Sequence, residues 1–166
     1  MARISLFRID FRLIHGQVIT KWIKQVPTDR ILIIDEELAK DDFMADIYRC
    51  AAPPNIPVEI LGLRDGVEEW ERNQFGEGNL LILVRNVETA LELKEQGVGI
   101  EEMQIGGLGG SPGRIMVIPA VTLDKKDAQN LEKIQKLGCQ VYAHVVPSEP
   151  RIDLNKLLEK YNMMKK

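Results

Sequence analysis

Short runs of consecutive apolar residues recur along the chain, and each is followed by a segment with helical periodicity. The runs are Ile4–Ile9, Ile31–Ile34, Val58–Leu61, Leu80–Val84, Met103–Ile105, Ile115–Ile118 and Val141–Val146. Several are apolar throughout, the pattern of a strand covered on both faces, whereas a strand with one wet face alternates. The pattern predicts an α/β fold: an open, mostly parallel sheet with helices on both faces, forming a single domain over residues 1–166.

The intervening segments carry the helices. After His15, the residues Val18, Ile19, Trp22, Ile23 and Val26 fall along one helical face, and Pro27 closes the helix. In Asp41–Ala52 a stripe of Phe43, Ile47 and Cys50 or Ala51 predicts a second amphipathic helix before Pro53-Pro54. Glu88–Gln96 is a good helix former that stops at Gly97. Asp124 is placed to cap a helix carrying Ala128, Leu131, Ile134 and Leu137 up to Gly138, and Asp153–Tyr161 predicts a short last helix.

Composition narrows the function classes. A chain of 166 residues with 45% hydrophobic content suffices for one core. Its 22 basic and 25 acidic side chains leave a formal charge of −3, without the basic excess that nucleic acid calls for. The longest apolar stretches fall far short of the roughly 20 residues needed to span a bilayer. Met1–Phe7 is followed at once by Arg8, Asp10 and Arg12, without a signal-peptide pattern, so a soluble cytoplasmic protein is expected. Cys50 and Cys139 lie far apart with no metal spacing, and both are expected to be packing residues.

Two stretches break the strand–helix rhythm, and both follow strands. In an open parallel sheet the ligand site lies beyond the carboxyl ends of the strands. The first stretch, Arg8–Gly16, sets an imidazole at the mouth of a helix with two guanidiniums and a carboxylate close by. A helix N-terminus favours an anion, arginine pairs with phosphate oxygens, and a neutral imidazole is a nucleophile near pH 7. A carboxylate on the other ring nitrogen would fix the tautomer. The candidate catalytic residues are therefore His15, Arg12 and Asp10, and the candidate phosphate ligands are Arg12, Gly16, Gln17, Arg8 and Arg114. Arg8 and Arg114 are expected to meet either phosphate or the acidic surface of a partner.

The second stretch, Gly106–Arg114, matches neither nucleotide-binding glycine signature. It reads either as a flexible crossover or as a second wall of the site, with glycine amides and Arg114 facing an anion. Asp35, Glu36 and Glu37 suit a cation, a phosphoacceptor aspartate or the capping of the next helix. His144, inside the Val141–Val146 run, reads as a partly buried strand residue. Two alternatives to a histidine carrier follow: a receiver-like regulatory domain phosphorylated on Asp35, and a non-catalytic anion- or nucleotide-binding module using the glycine loop.

The run Arg8-Ile9-Asp10-Phe11-Arg12-Leu13-Ile14-His15-Gly16-Gln17-Val18, followed by Trp22, resembles the R-I-D-D-R-L-I-H-G-Q-V…W signature of enzyme IIB in the mannose–fructose–sorbose family of bacterial sugar phosphotransferase systems. The resemblance extends through Leu80–Asn86, Gly113-Arg114 and Val146-Pro147-Ser148-Glu149-Pro150 before Asp153-Leu154. It implies a phosphoryl carrier that takes the group from a phosphohistidine on a IIA protein, holds it on the δ1 nitrogen of His15, and delivers it to a sugar entering through membrane IIC and IID subunits. Arg12 then matches the motif's second arginine. The resemblance also implies a cytoplasmic protein held at the inner face of the membrane through the permease; a homodimer is compatible with it. No cofactor or metal is expected. Phe11 departs from the motif, which often carries a second aspartate there.

Overall fold

The computed structural model describes residues 1–165, apart from the side chains of Gln17 and Val18. In chain order the elements are β1 (Arg3–Asp10), α1 (Gly16–Gln25), β2 (Arg30–Ile34), α2 (Glu36–Ala39), α3 (Asp42–Ala51), β3 (Val58–Leu61), α4 (Leu63–Asn73), β4 (Asn79–Val84), α5 (Val87–Glu95), β5 (Glu102–Gly107), β6 (Ile115–Ile118), β7 (Val121–Leu123), α6 (Lys125–Lys136), β8 (Gln140–Ala143), β9 (Ile152–Asp153) and α7 (Leu154–Met164). Seven strands form one sheet in the order β3-β2-β4-β1-β5-β8-β9, parallel except for the antiparallel edge strand β9. No helix among the described residues is long and apolar enough to cross a membrane.

Uniformly apolar strands make sense because each face of the sheet has its own core. Successive side chains on a strand point to opposite faces. Ile31, Ile33, Leu81 and Leu83 pack with Ile19 and Trp22 of α1, Leu38 of α2 and Ala45 of α3. Leu32, Ile34, Leu80, Ile82 and Val84 pack with Ala90 of α5, Leu131 of α6 and Leu157 of α7. Four helix starts are fixed by side-chain caps: Asp35, Asp41, Asn86 and Asp124 accept from the backbone N–H groups of Leu38, Met44, Thr89 and Asp127.

The chain reverses direction at the centre of the sheet. The helix after β1 packs on one face and the helix after β4, the neighbouring strand, packs on the other. Their connections therefore part above the β1/β4 boundary, the topological switch point at which such sheets bind ligands.

Four expectations are corrected. Ile115–Ile118 is a strand, but it pairs antiparallel with β7 in a separate hairpin rather than entering the sheet. The last sheet run ends at Ala143, so His144 lies beyond the strand, on the same edge as His15. On α3, Phe43 and Ile47 are exposed at 75% and 46%, while Ala45 on the opposite stripe is buried. Cys50 is exposed as well; only Cys139 is a packing residue, its thiol pushed up to about 11 by burial.

The glycine stretch is anchored at its far end by Arg114, which faces no open site. Its guanidinium donates to Thr122 Oγ1 at 2.8 Å, to the Thr122 carbonyl at 2.9 Å and to Asp124 Oδ2 at 3.0 Å, and it pairs with Asp127. This clamp ties the β6–β7 hairpin to the start of α6, which corrects the expectation of an anion ligand at Arg114. Its loss removes several charge-assisted bonds from a mostly covered site. Arg114→Ala should therefore cost about 2 kcal/mol, lowering the thermal midpoint by about 4–8 °C. Thermal unfolding followed by circular dichroism checks this, and an unshifted midpoint would show that the clamp contributes nothing.

Candidate functional site

At the carboxyl end of β1 the apolar pattern is interrupted by Arg8 and Asp10, which share the strand face of buried Leu6. Their exposures are 1% and 0%, so both charges are inside the protein and each needs partners. Arg8 donates through Nη2 and Nε to Asp10 Oδ2 at 3.2 and 3.4 Å, and to the carbonyls of His144 and Val145 at 2.9 and 3.0 Å. A further bond reaches Gln104 Oε1. Arg8 is thus consumed internally, which corrects the expectation that it meets phosphate or a partner surface. Burial lowers its pKa, and the charge of Asp10 opposes that shift.

Asp10 is the hub. Oδ2 also meets His15 Nε2 at 2.9 Å, and Oδ1 accepts from the Arg12 backbone N–H at 3.1 Å and Arg12 Nε at 3.4 Å. Burial alone would push this carboxyl up, but the His15 hydrogen bond and the Arg8 charge outweigh it and hold the group below the ordinary carboxylate range.

The loop from Asp10 to His15 is a tight turn closed by the Leu13 N–H on the Asp10 carbonyl at 2.9 Å. Leu13 sits at φ +56°, a left-handed conformation that costs a leucine about 1–2 kcal/mol. Its side chain is 1% exposed in the α1-side core, and burial of that order offsets the strain by about 1.5–3 kcal/mol. His15 then takes extended dihedrals at the N-cap of α1 but makes no side-chain cap. Its ring turns instead to Asp10, 18% exposed at the surface. Gly16 follows at φ +35°, where any side chain would be strained, and the space beside it is open. The Gln17 side chain lies outside the described residues.

The glycine stretch is a second wall, formed by what it leaves vacant. A Cβ on Gly106 would overlap the Arg8 guanidinium. One on Gly107 would lie 3.2 Å from Asp10 Oδ1 and 3.3 Å from Arg12 Nη2, and one on Gly109 would lie 3.1 Å from two Phe11 ring carbons. The glycines thus admit, in order, the side chains at the end of β1 and in the turn that follows it. The Gly107 carbonyl also accepts from the Phe11 N–H at 3.1 Å.

Sequence reasoning missed three contributors. Gln104 was visible only as a lone polar residue inside a strand, the same signal that Arg8 and Asp10 give. His144 contributes a backbone carbonyl, which no side-chain pattern reveals, while its ring stands edge-on to Trp22 at 4.7 Å and Nε2 meets the Glu149 carbonyl at 2.6 Å. Arg85, just after β4, donates to the Phe11 carbonyl at 3.4 Å and pairs through Nε with Asp35 Oδ1 at 3.2 Å. Asp35, which also caps α2 with Oδ2, has both oxygens engaged. The capping explanation for that residue therefore holds, and a free phosphoacceptor there does not.

Comparison with known proteins gives the family. The family model described as PTS system sorbose subfamily IIB component matches residues 4–166. The sorbose-specific EIIB component of Klebsiella pneumoniae is 35% identical over 160 residues, covering 96% of each chain. The solved structure of manxB from Thermoanaerobacter tengcongensis superposes with a TM-score of 0.90 at 36% identity, covering 97% of this chain and 98% of that one. The mannose-specific EIIAB component of Escherichia coli strain K12 is 29% identical over 95% of this chain, which spans 49% of that longer protein. The chain therefore belongs to the sorbose subfamily of IIB components of the bacterial sugar phosphotransferase system, phosphotransferases that act in sugar transport.

Proposed function

We propose that this IIB component carries a phosphoryl group on Nδ1 of His15, taking it from a phosphohistidine of a IIA protein and delivering it to a sugar bound by the IIC and IID membrane subunits. The observation that carries the proposal is the 2.9 Å contact between His15 Nε2 and Asp10 Oδ2. Asp10 is held as a carboxylate and can only accept, so Nε2 bears the proton and Nδ1 keeps its lone pair. The buried carboxylate thus selects the nucleophilic atom.

In the first step the Nδ1 lone pair attacks the phosphorus of the donor's phosphohistidine in line. The old P–N bond breaks, and its electron pair returns to the donor imidazole. In the second step a sugar hydroxyl attacks the same phosphorus, its proton passes to a base, and the P–Nδ1 electron pair returns to His15. Across both steps the proton stays on Nε2, hydrogen-bonded to the Asp10 carboxylate, which offsets positive charge on the ring. Arg12, 38% exposed, and the first-turn amides of α1 supply donors for the equatorial oxygens. That charge comes from the chain itself, so the proposal invokes no metal or cofactor. The E. coli mannose relative is an EIIAB protein, consistent with a IIA domain as the donor. The place of action is then the cytoplasmic face of the membrane, at the permease.

Two predictions follow from this chemistry. His15→Gln should fold but accept no phosphoryl group, whereas His144→Gln should still be labelled. Arg12→Lys keeps the charge but loses the planar fork, and should slow transfer about tenfold or more. Incubation with a phosphorylated IIA donor and mass spectrometry at alkaline pH read all three variants. A His15→Gln protein labelled as well as the parent would remove the proposal.

Asp10→Asn tests the hub. The folded pKa of Asp10 lies below its unfolded value, near 3.9. Its contribution to stability is therefore fully present above about pH 5 and lost as pH falls through the folded value. The substitution also leaves Arg8 buried without its counter-charge, so the cost at pH 7 should be about 3–5 kcal/mol. Urea titrations should show that gap narrowing toward pH 2, since the parent then loses the same interaction. A gap independent of pH would assign the loss to packing alone.

A further inference from the structure

We propose that Phe11 is a positioning residue for Arg12, holding the guanidinium in plane by its aromatic face while leaving both terminal nitrogens free for the phosphoryl group; this rests on the His15 carrier reading above. Arg12 Cζ lies 5.3 Å from the centroid of the Phe11 ring. Its Nε bonds Asp10 Oδ1 at 3.4 Å, and among the described residues its Nη1 and Nη2 have no hydrogen-bond acceptor. The mode of restraint matters for the chemistry. A carboxylate gripping the fork would fill the donors that phosphate oxygens need, whereas a ring face attracts the cation without using any N–H.

The ring is itself fixed. One side rests on Gly109, where a Cβ would crowd two ring carbons at 3.1 Å. Gly109 shows no positive φ, so the glycine serves space and not dihedral freedom. The Gly109 carbonyl is pinned by Thr122 Oγ1 at 2.7 Å, and Thr122 is held in turn by Arg114 at 2.8 Å. The Phe11 backbone is fixed at both ends, its N–H on Gly107 and its carbonyl under Arg85. The hairpin clamp, the glycine and the ring thus form one stack ending at the Arg12 guanidinium. Phe11 is only 39% exposed although it sits at the tip of a loop.

The test uses Phe11→Leu, Phe11→Tyr and Gly109→Ala in the full-length chain, with two measurements. The first is the Arg12 Nε–Hε signal in the unphosphorylated protein, recorded by NMR. Phe11→Leu should lose the ring-induced shift of that proton, Phe11→Tyr should keep it, and Gly109→Ala should move it. The second is the rate of His15 phosphorylation against donor concentration. Phe11→Leu should lower the saturating rate about two- to fivefold with KM for the IIA donor unchanged, and Phe11→Tyr should restore it. A rise in KM with an unchanged saturating rate would make Phe11 a docking contact and overturn the proposal. So would an Arg12 signal indifferent to the loss of the ring. If the parent protein is not labelled on His15, the carrier reading fails, while the NMR comparison still decides whether Phe11 positions Arg12.

Discussion

A carboxylate with no exposure to water is the feature to which the rest of the site answers. Asp10 is stable as an anion only because Arg8 shares its burial and Arg12 and His15 donate to it. Breaking such a pair strands a charge, at a cost of about 3–5 kcal/mol. Arg8 in turn needs acceptors for the rest of its fork, and it finds them on Gln104 of β5 and on two carbonyls beyond β8. Those acceptors lie within reach only because β5 and β8 follow β1 in the sheet. The order of strands and the orientation of the His15 ring are therefore linked through one ion pair.

The same network explains why charge is distributed as it is. Arg8 cancels Asp10 inside the protein, so the charge left facing solvent beside His15 is that of Arg12, reinforced by the positive end of α1. The surface beside His15 is thus a local cation in a chain whose overall charge is slightly negative. A buried neutral pair gives orientation; an exposed single arginine gives attraction. The two arginines of the motif, alike in sequence, do different jobs.

Glycine appears at the site mainly as absent volume. Gly106, Gly107 and Gly109 face Arg8, Asp10 with Arg12, and Phe11 respectively, so a wall of backbone is set against the loop like a mould. That wall is held from behind by the Arg114 clamp on the hairpin. Strain is concentrated in the loop itself, at Leu13, and is sustained by burying the leucine side chain in the α1-side core. The turn is thus held by a rigid frame on each side, as a site requires when a 1 Å shift in geometry is costly to catalysis.

The sequence by itself determined the fold class and singled out His15, Arg12 and Asp10 as the candidate site, because both are written in local pattern. Uniformly apolar runs require a sheet covered on both sides, and the strand-to-helix position of His15, with Arg12 and Asp10 nearby, marks an edge whose donors suit an anion. What the tertiary structure decided lay in choices that local pattern leaves equal. Helix α3 has two apolar stripes, Phe43 with Ile47 and Ala45 with Tyr48, and only docking on the sheet selects the second. Ile115–Ile118 has the composition of a core strand, yet its partner is the next segment in a hairpin. Arg8, Arg85 and Arg114 are all arginines beside the ends of strands. Whether each meets phosphate or an internal acceptor depends on residues about 10 to 140 positions away. Long-range contacts of that kind set burial, and burial decides whether a charge is a ligand or a strut.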